Sequence, residues 1–139
     1  MDESIFTFVF TCIITFLFLM FFYGGNKYFP YNTKKILSCI KQKPEKTFIA
    51  ACQINYFYLK GPFLKIRLYD EFIIISRLSN RAIKINYTDG EIIKGVFSTY
   101  FKFRKNNNSY YIFVYSKEAR QLLTDKITNA QSRKIQNEE

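Results

Sequence analysis

The chain has 139 residues, 48% of them hydrophobic, with 21 Lys and Arg against 11 Asp and Glu, a formal net charge of +10 and no histidine. The missing imidazole removes the commonest general base and the commonest metal ligand, which argues against most hydrolase chemistry. Cys12, Cys39 and Cys52 are scattered without a C-x-x-C pair, so neither a disulfide framework nor a metal cage is implied, and no cofactor is called for.

From Ile5 to Tyr23 (IFTFVFTCIITFLFLMFFY) there is no charged residue. A helix of that length rises about 28 Å, close to the hydrocarbon thickness of a bilayer of about 30 Å. A cleaved signal peptide would begin with basic residues and end in small ones, whereas this segment begins Met1-Asp2-Glu3-Ser4 and ends Met20-Phe21-Phe22-Tyr23. Residues 1–23 therefore read as a retained transmembrane anchor. Every Lys and Arg follows the span, beginning with Lys27, Lys34, Lys35, Lys41, Lys43 and Lys46. The positive-inside rule then places the N-terminus outside and the rest of the chain in the cytoplasm. Thr7, Thr11 and Thr15 form a hydroxyl stripe along one face, a candidate for helix association and homo-oligomerisation, although each hydroxyl has its own helix's carbonyls as an alternative partner.

Residues 24–46 read as a juxtamembrane linker. Gly24-Gly25-Asn26 suggests a flexible break and Pro30 discourages helix. Within the linker, Thr33 to Gln42 places Ile36, Leu37 and Ile40 on one helical face, which suits a short interfacial helix or a connector docked on the following domain.

From Thr47 the period changes to two, with β-branched and aromatic residues. Strands are predicted at Thr47 to Leu59, Phe63 to Tyr69, Phe72 to Ser76, Ala82 to Tyr87, Ile92 to Phe97, Tyr100 to Lys105 and Tyr110 to Tyr115. Turns fall at Lys60-Gly61-Pro62, Asp70-Glu71, Thr88-Asp89-Gly90 and Asn106 to Ser109. Ser116 is placed to cap a helix whose apolar positions are Ala119, Leu122, Leu123, Ile127 and Ala130, and residues 131–139 read as a polar, fraying tail.

Short antiparallel strands followed by one amphipathic helix suggest a small barrel or sandwich stoppered by that helix. Residues 47–130 resemble the pleckstrin-homology-like domains of small bacterial membrane proteins. The resemblance lies in Leu64 to Ser76 (LKIRLYDEFIIIS) as second and third strands, Ala82 to Tyr87 (AIKINY) as the next, and Tyr111 to Ser116 (YIFVYS) running into the closing helix. It implies a PH-like antiparallel barrel of about seven strands with a C-terminal capping helix, acting as a binding or scaffolding module on the cytoplasmic face of a bacterial inner membrane. Its expected partner is a membrane or membrane-proximal protein.

Relatives that hold phosphoinositides carry a Lys, spacer, Lys/Arg, x, Arg arrangement, which Lys60, Lys65 and Arg67 resemble. With support from Lys34, Lys35 and Lys41, this makes an anionic lipid headgroup the alternative ligand. The alternation also suits a plain solvated strand face.

Tyr100 to Lys105 interleaves aromatics and cations, but alternation between core and solvent accounts for it, and no nucleic-acid partner is expected. Tyr56, Tyr58, Tyr110 and Tyr111 are candidates for a protein-contact surface in a chain with 27 Phe and Tyr residues combined. Carboxylate pairs occur at turns, as Asp70-Glu71 and Asp89-x-Glu91, and no glycine-rich phosphate loop is present, so the chain is not expected to be an enzyme.

Overall fold

The structure, a computed structural model, describes residues 2–26, 28–55, 57–59, 64–77 and 80–139, with the side chains of 21–26 and 57–59 left aside. It consists of one apolar N-terminal helix, a mostly-β domain of two antiparallel sheets, and a C-terminal helix.

Helix α1 (Glu3–Asn26) continues through Gly24 and Gly25, so the expected flexible break does not interrupt it. A bridge of two residues, β1 (Tyr31–Asn32), follows, and the Asn32 side chain then starts α2 (Thr33–Cys39) by accepting from the backbone N–H of Lys34 at 3.0 Å and of Lys35 at 3.3 Å. That carboxamide satisfies two of the donors that a helix start leaves open.

The predicted first strand is broken into β2 (Lys46–Ile49), β3 (Ala51–Ile54) and β4 (Phe57–Leu59). The chain turns a corner at the fully buried Ala50, and Asn55 takes a φ of 51°, a left-handed conformation that asparagine tolerates. Next come β5 (Leu64–Leu68), β6 (Phe72–Arg77) and β7 (Arg81–Asn86), a 3-10 turn at Tyr87–Asp89, then β8 (Gly90–Lys94), β9 (Thr99–Lys105) and β10 (Asn108–Phe113). Asn106 and Asn107, at φ 51° and 63°, form the two-residue hairpin turn that joins β9 to β10.

Sheet A has the order β1-β7-β6-β5-β2 and sheet B the order β4-β3-β10-β9-β8. The expected barrel of about seven strands is thereby corrected to ten strands, among the described residues, in two sheets that do not close. They meet where β2 passes into β3. At the other side the 3-10 turn carries the chain from β7 to β8, and α3 (Lys117–Glu138) packs over that turn and β8. Ser116 caps α3 as expected, its Oγ accepting from Ala119 N at 3.4 Å. The helix runs on to Glu138, however, where a fraying tail was expected.

The main core lies between the sheets and includes Ile54, Leu64, Ile66, Ile83, Phe101, Phe103 and Ile112, sealed by Ala119, Leu123 and Ile127 of α3. A second, smaller cluster lies on the outer face of sheet A, where Ile36, Leu37 and Ile40 pack against Tyr69, Ile74 and Ala82. Of the two readings of the α2 segment, the docked connector is the one seen.

Candidate interaction surfaces

Glu3–Met20 is long and apolar enough to cross a membrane, and its large side chains from Ile5 to Met20 are exposed, making no core of their own. Along it, Thr7, Thr11 and Thr15 each donate to the carbonyl four residues earlier at 2.8 Å. The hydroxyl protons are thus used within the helix, and only their lone pairs remain for a neighbour.

The link between this helix and the domain is short. Only Lys27 and Tyr28 separate the end of α1 from Phe29, which is fully buried in the main core. Phe29 meets the Tyr110 ring edge-on at 6.3 Å, and the Arg77 guanidinium lies 5.6 Å from its ring centre. Tyr110 Oη donates to the Tyr28 carbonyl at 2.7 Å, and Arg81 Nη1 donates to the Pro30 carbonyl at 3.0 Å. Three residue steps reach at most about 10 Å, so the domain begins where the helix ends.

The sequence-predicted basic residues fall on one layer. Lys65 and Arg67 alternate with the buried Leu64, Ile66 and Leu68, so they occupy the outer face of β5. Lys34 and Lys35 on α2 and Lys41 beyond it belong to the same side, because α2 lies over that face. Lys60 lies outside the described residues. Arg67 is partly committed: its Nη1 donates to Ser76 Oγ at 2.8 Å, and Ser76 Oγ donates in turn to the Lys65 carbonyl at 3.2 Å.

Two arginines of sheet A lie at one end of it. Arg77 pairs in register with Leu64, and Arg81 with Asn32, at the end where the N-terminal helix joins. Asp70 and Glu71 occupy the turn at the opposite end, where Lys126 Nζ reaches Glu45 at 2.8 Å and Asp70 at 3.9 Å. Beside them, a polar groove of about 760 Å³ separates that turn from α3, lined by Asn86, Thr88, Lys126 and Arg133 among others. Among the described residues no group of His, Cys, Asp and Glu side chains is placed to hold a metal ion.

Of the four tyrosines flagged as a contact surface, Tyr110 is a core residue, Tyr56 and the side chain of Tyr58 lie outside what the structure describes, and Tyr111 sits on the outer face of sheet B. There Phe113 pairs in register with Ala51, Tyr100 pairs with Ile93, and the rings of Tyr100 and Phe113 lie 5.3 Å apart, giving an apolar row across four strands. Alongside that row, Tyr111 pairs with Lys102, whose Nζ lies 5.6 Å from its ring centre.

The β8–β9 turn, closed by Gly95 N donating to the Ser98 carbonyl at 2.8 Å, holds Val96 and Phe97 at 93% and 100% exposure. The strand predicted from Ile92 to Phe97 therefore ends earlier, at Lys94. Gly95 followed three residues later by the polar pair Ser98-Thr99 is the available sign of a turn, masked by the apolar residues Ile92, Ile93, Val96 and Phe97 on either side of it.

No protein-family model matches the chain, and no curated protein matches it.

Proposed function

We propose that this chain is a membrane-anchored, non-enzymatic interaction module of pleckstrin-homology-like build. In this reading it is displayed on the cytoplasmic face of a bacterial inner membrane and binds a membrane or membrane-proximal protein. The observation that carries it is the burial of Phe29 within three residues of the end of α1, so that only two residues separate the anchor helix from the domain's core. A module built this way is held against one leaflet, and its available surfaces meet whatever else is held there.

The pleckstrin-homology-like reading is supported by the order of elements. A first strand bends from one sheet into the other, three further strands complete each sheet's centre, and a terminal helix packs over the remaining corner. Folds of this build carry their function in surfaces rather than in a fixed catalytic centre.

The test is extraction and topology. A carbonate wash of membranes should leave the full chain in the pellet, and protease added outside intact cells should spare residues 47–130. Release by carbonate, or digestion from outside, would refute the reading.

A second reading, recognition of anionic headgroups, is favoured by the placement of Arg77 and Arg81 at the anchor end and of Asp70 and Glu71 at the far end. Basic side chains near an anionic leaflet contribute about 1 kcal/mol each. Binding of the detergent-solubilised chain to phosphatidylserine vesicles that weakens steeply with salt, and weakens further when Lys65 and Arg67 become Ala, would favour it over the protein partner.

A further inference from the structure

The side chains of sheet A that point away from the main core are joined into rows by the strand registers. In the row at the end where the N-terminal helix joins, Ile49 pairs with Lys65, Lys65 with Ser76, Ser76 with Ala82 and Ala82 with Tyr31, so one line crosses all five strands. The next row is Thr47, Arg67, Ile74 and Lys84. Helix α2 packs on this face and keeps Lys34 and Lys35 exposed, with Lys41 and Lys43 exposed just beyond it. No Asp or Glu stands in either row, in α2, or anywhere between Tyr28 and Pro44. The acids that border the face are turned toward α3: Lys126 holds Glu45 at 2.8 Å and Asp70 at 3.9 Å, and Glu71 lines the groove that Asp70 shares with that helix.

We infer that this face is the side that the domain lays on the anionic leaflet in which its anchor is set. This rests on the anchored-module reading and deepens the headgroup reading, since the contact is a face and not a pocket, and the lipids are those of the anchoring membrane itself.

Continuity with the anchor selects the leaflet over a soluble acidic partner. Five residue steps separate Asn26 from Tyr31 and span at most about 17 Å, so the Tyr31 end of the first row stays beside the headgroups. A surface held that close is present at a high effective concentration, which a partner arriving from solution lacks. The second row lies two residues farther along the strands, about 7 Å, which is less than the Debye length of about 8 Å at physiological salt. A leaflet that meets the first row therefore attracts the second. The uncharged members of the first row suit the same place: Tyr31 and Ile49 are 51% and 50% exposed, and a tyrosine ring beside an aliphatic chain matches the headgroup zone. Each exposed cation close to such a surface shifts the balance between seated and lifted domain by about fivefold. Helix α3 enters the main core from the other side of sheet A, so its solvated turns past Ala130 lie away from the leaflet.

The test uses the purified full chain reconstituted into bilayers, in a C12S/C39S background that leaves the fully buried Cys52 in place. A thiol-reactive fluorophore is carried by S38C on α2 or by S132C on α3, both exposed positions, and its quenching by a lipid with a headgroup nitroxide is measured. In bilayers of equal parts phosphatidylcholine and phosphatidylglycerol, position 38 should be quenched several-fold more than position 132. That excess should fall by about fivefold or more in phosphatidylcholine alone and in K34E/K35E/K65E, while K34R/K35R/K65R should keep it. It should also fall in about 1 M salt, where the Debye length shrinks to about 3 Å. Lys34 and Lys35 begin α2, where a helix favours Glu, and Lys65 is exposed, so the Glu variant should keep its thermal midpoint, which separates a lifted face from an unfolded one. Equal quenching at 38 and 132, an excess undiminished in phosphatidylcholine alone, or an excess that survives K34E/K35E/K65E would each overturn the inference. Carbonate extraction separates the two levels: retention in the pellet with equal quenching means that the anchor holds and the face is not seated, whereas release means that the anchored-module reading has failed and the inference with it.

Discussion

Replacing Phe29 by Ala empties a site at the junction of both sheets, bounded by Tyr110 and Arg77. Large-to-small changes of this kind cost about 3–5 kcal/mol, so the domain should melt far below the parent in detergent solution. Tyr110→Phe is the milder partner experiment. It keeps the ring in the core but leaves the Tyr28 carbonyl without its 2.7 Å donor, and the loss should be about 1 kcal/mol, measured from urea unfolding. Gly90 is fixed by close approach: a Cβ there would stand 2.6 Å from Phe103 Cε1 and 3.1 Å from the Tyr87 carbonyl oxygen. The ring edge can yield a little and the carbonyl cannot, so Gly90→Ala should destabilise by about 1–3 kcal/mol, read in the same unfolding assay.

At the scale of elements, α2 and α3 differ in how much of their length the domain uses. The face of α2 formed by Ile36 and Leu37 is packed, and Leu37→Asp would place a carboxylate against Ile74 and Ala82. Detachment and unwinding of the helix should then open the backbone after Lys34 and Lys35 to trypsin, and cleavage there much faster than in the parent is the expected result. α3 is packed through Ala130, after which Gln131 Nε2 donates to the Gly90 carbonyl at 2.6 Å and the remaining turns are solvated.

The sequence located most of these elements because their burial is periodic: Leu64, Ile66 and Leu68 alternate inward, and Ala119, Leu123 and Ile127 repeat at helical spacing. It missed what has no period. The corner at Ala50 and the left-handed Asn55 divide one predicted strand into three, because small residues and asparagine signal a bend only weakly beside apolar neighbours. Phe29 lies between a tyrosine and a proline in an aperiodic stretch, so its burial depends on contacts more than eighty residues away, such as that with Tyr110. The basic strand face was legible from alternation alone, whereas the commitment of Arg67 to Ser76 required the register of β5 on β6.

For the whole molecule, alkali is the informative stress. Burial pushes the Tyr87 and Tyr110 phenols well above their ordinary 10.0, with the charges of Glu45 and Asp70 adding to the effect at Tyr87, and burial likewise lifts the Cys52 thiol above 9.0. A group whose pKa is raised by folding holds on to its proton in the native state, so its contribution to stability is complete below the unfolded pKa and is lost as pH climbs toward the folded one. Stability should therefore hold up to about pH 9 and decline above it, first through Cys52 and then through the two phenols. A competing trend exists: the net charge of +10 shrinks as lysines lose protons, which relieves self-repulsion in the compact state. Tyr87→Phe separates the two, since it removes one phenol and leaves the lysines in place. Tyr87 Oη donates to the Tyr69 carbonyl at 2.7 Å, so this variant should be weaker than the parent at neutral pH by about 1 kcal/mol. Between about pH 9 and pH 11 its urea midpoint should fall less steeply than the parent's, because one fewer buried group must ionise on unfolding. Parallel slopes for the two proteins over that range would mean that the Tyr87 hydroxyl is hydrated, and that the corner under α3 is open to water.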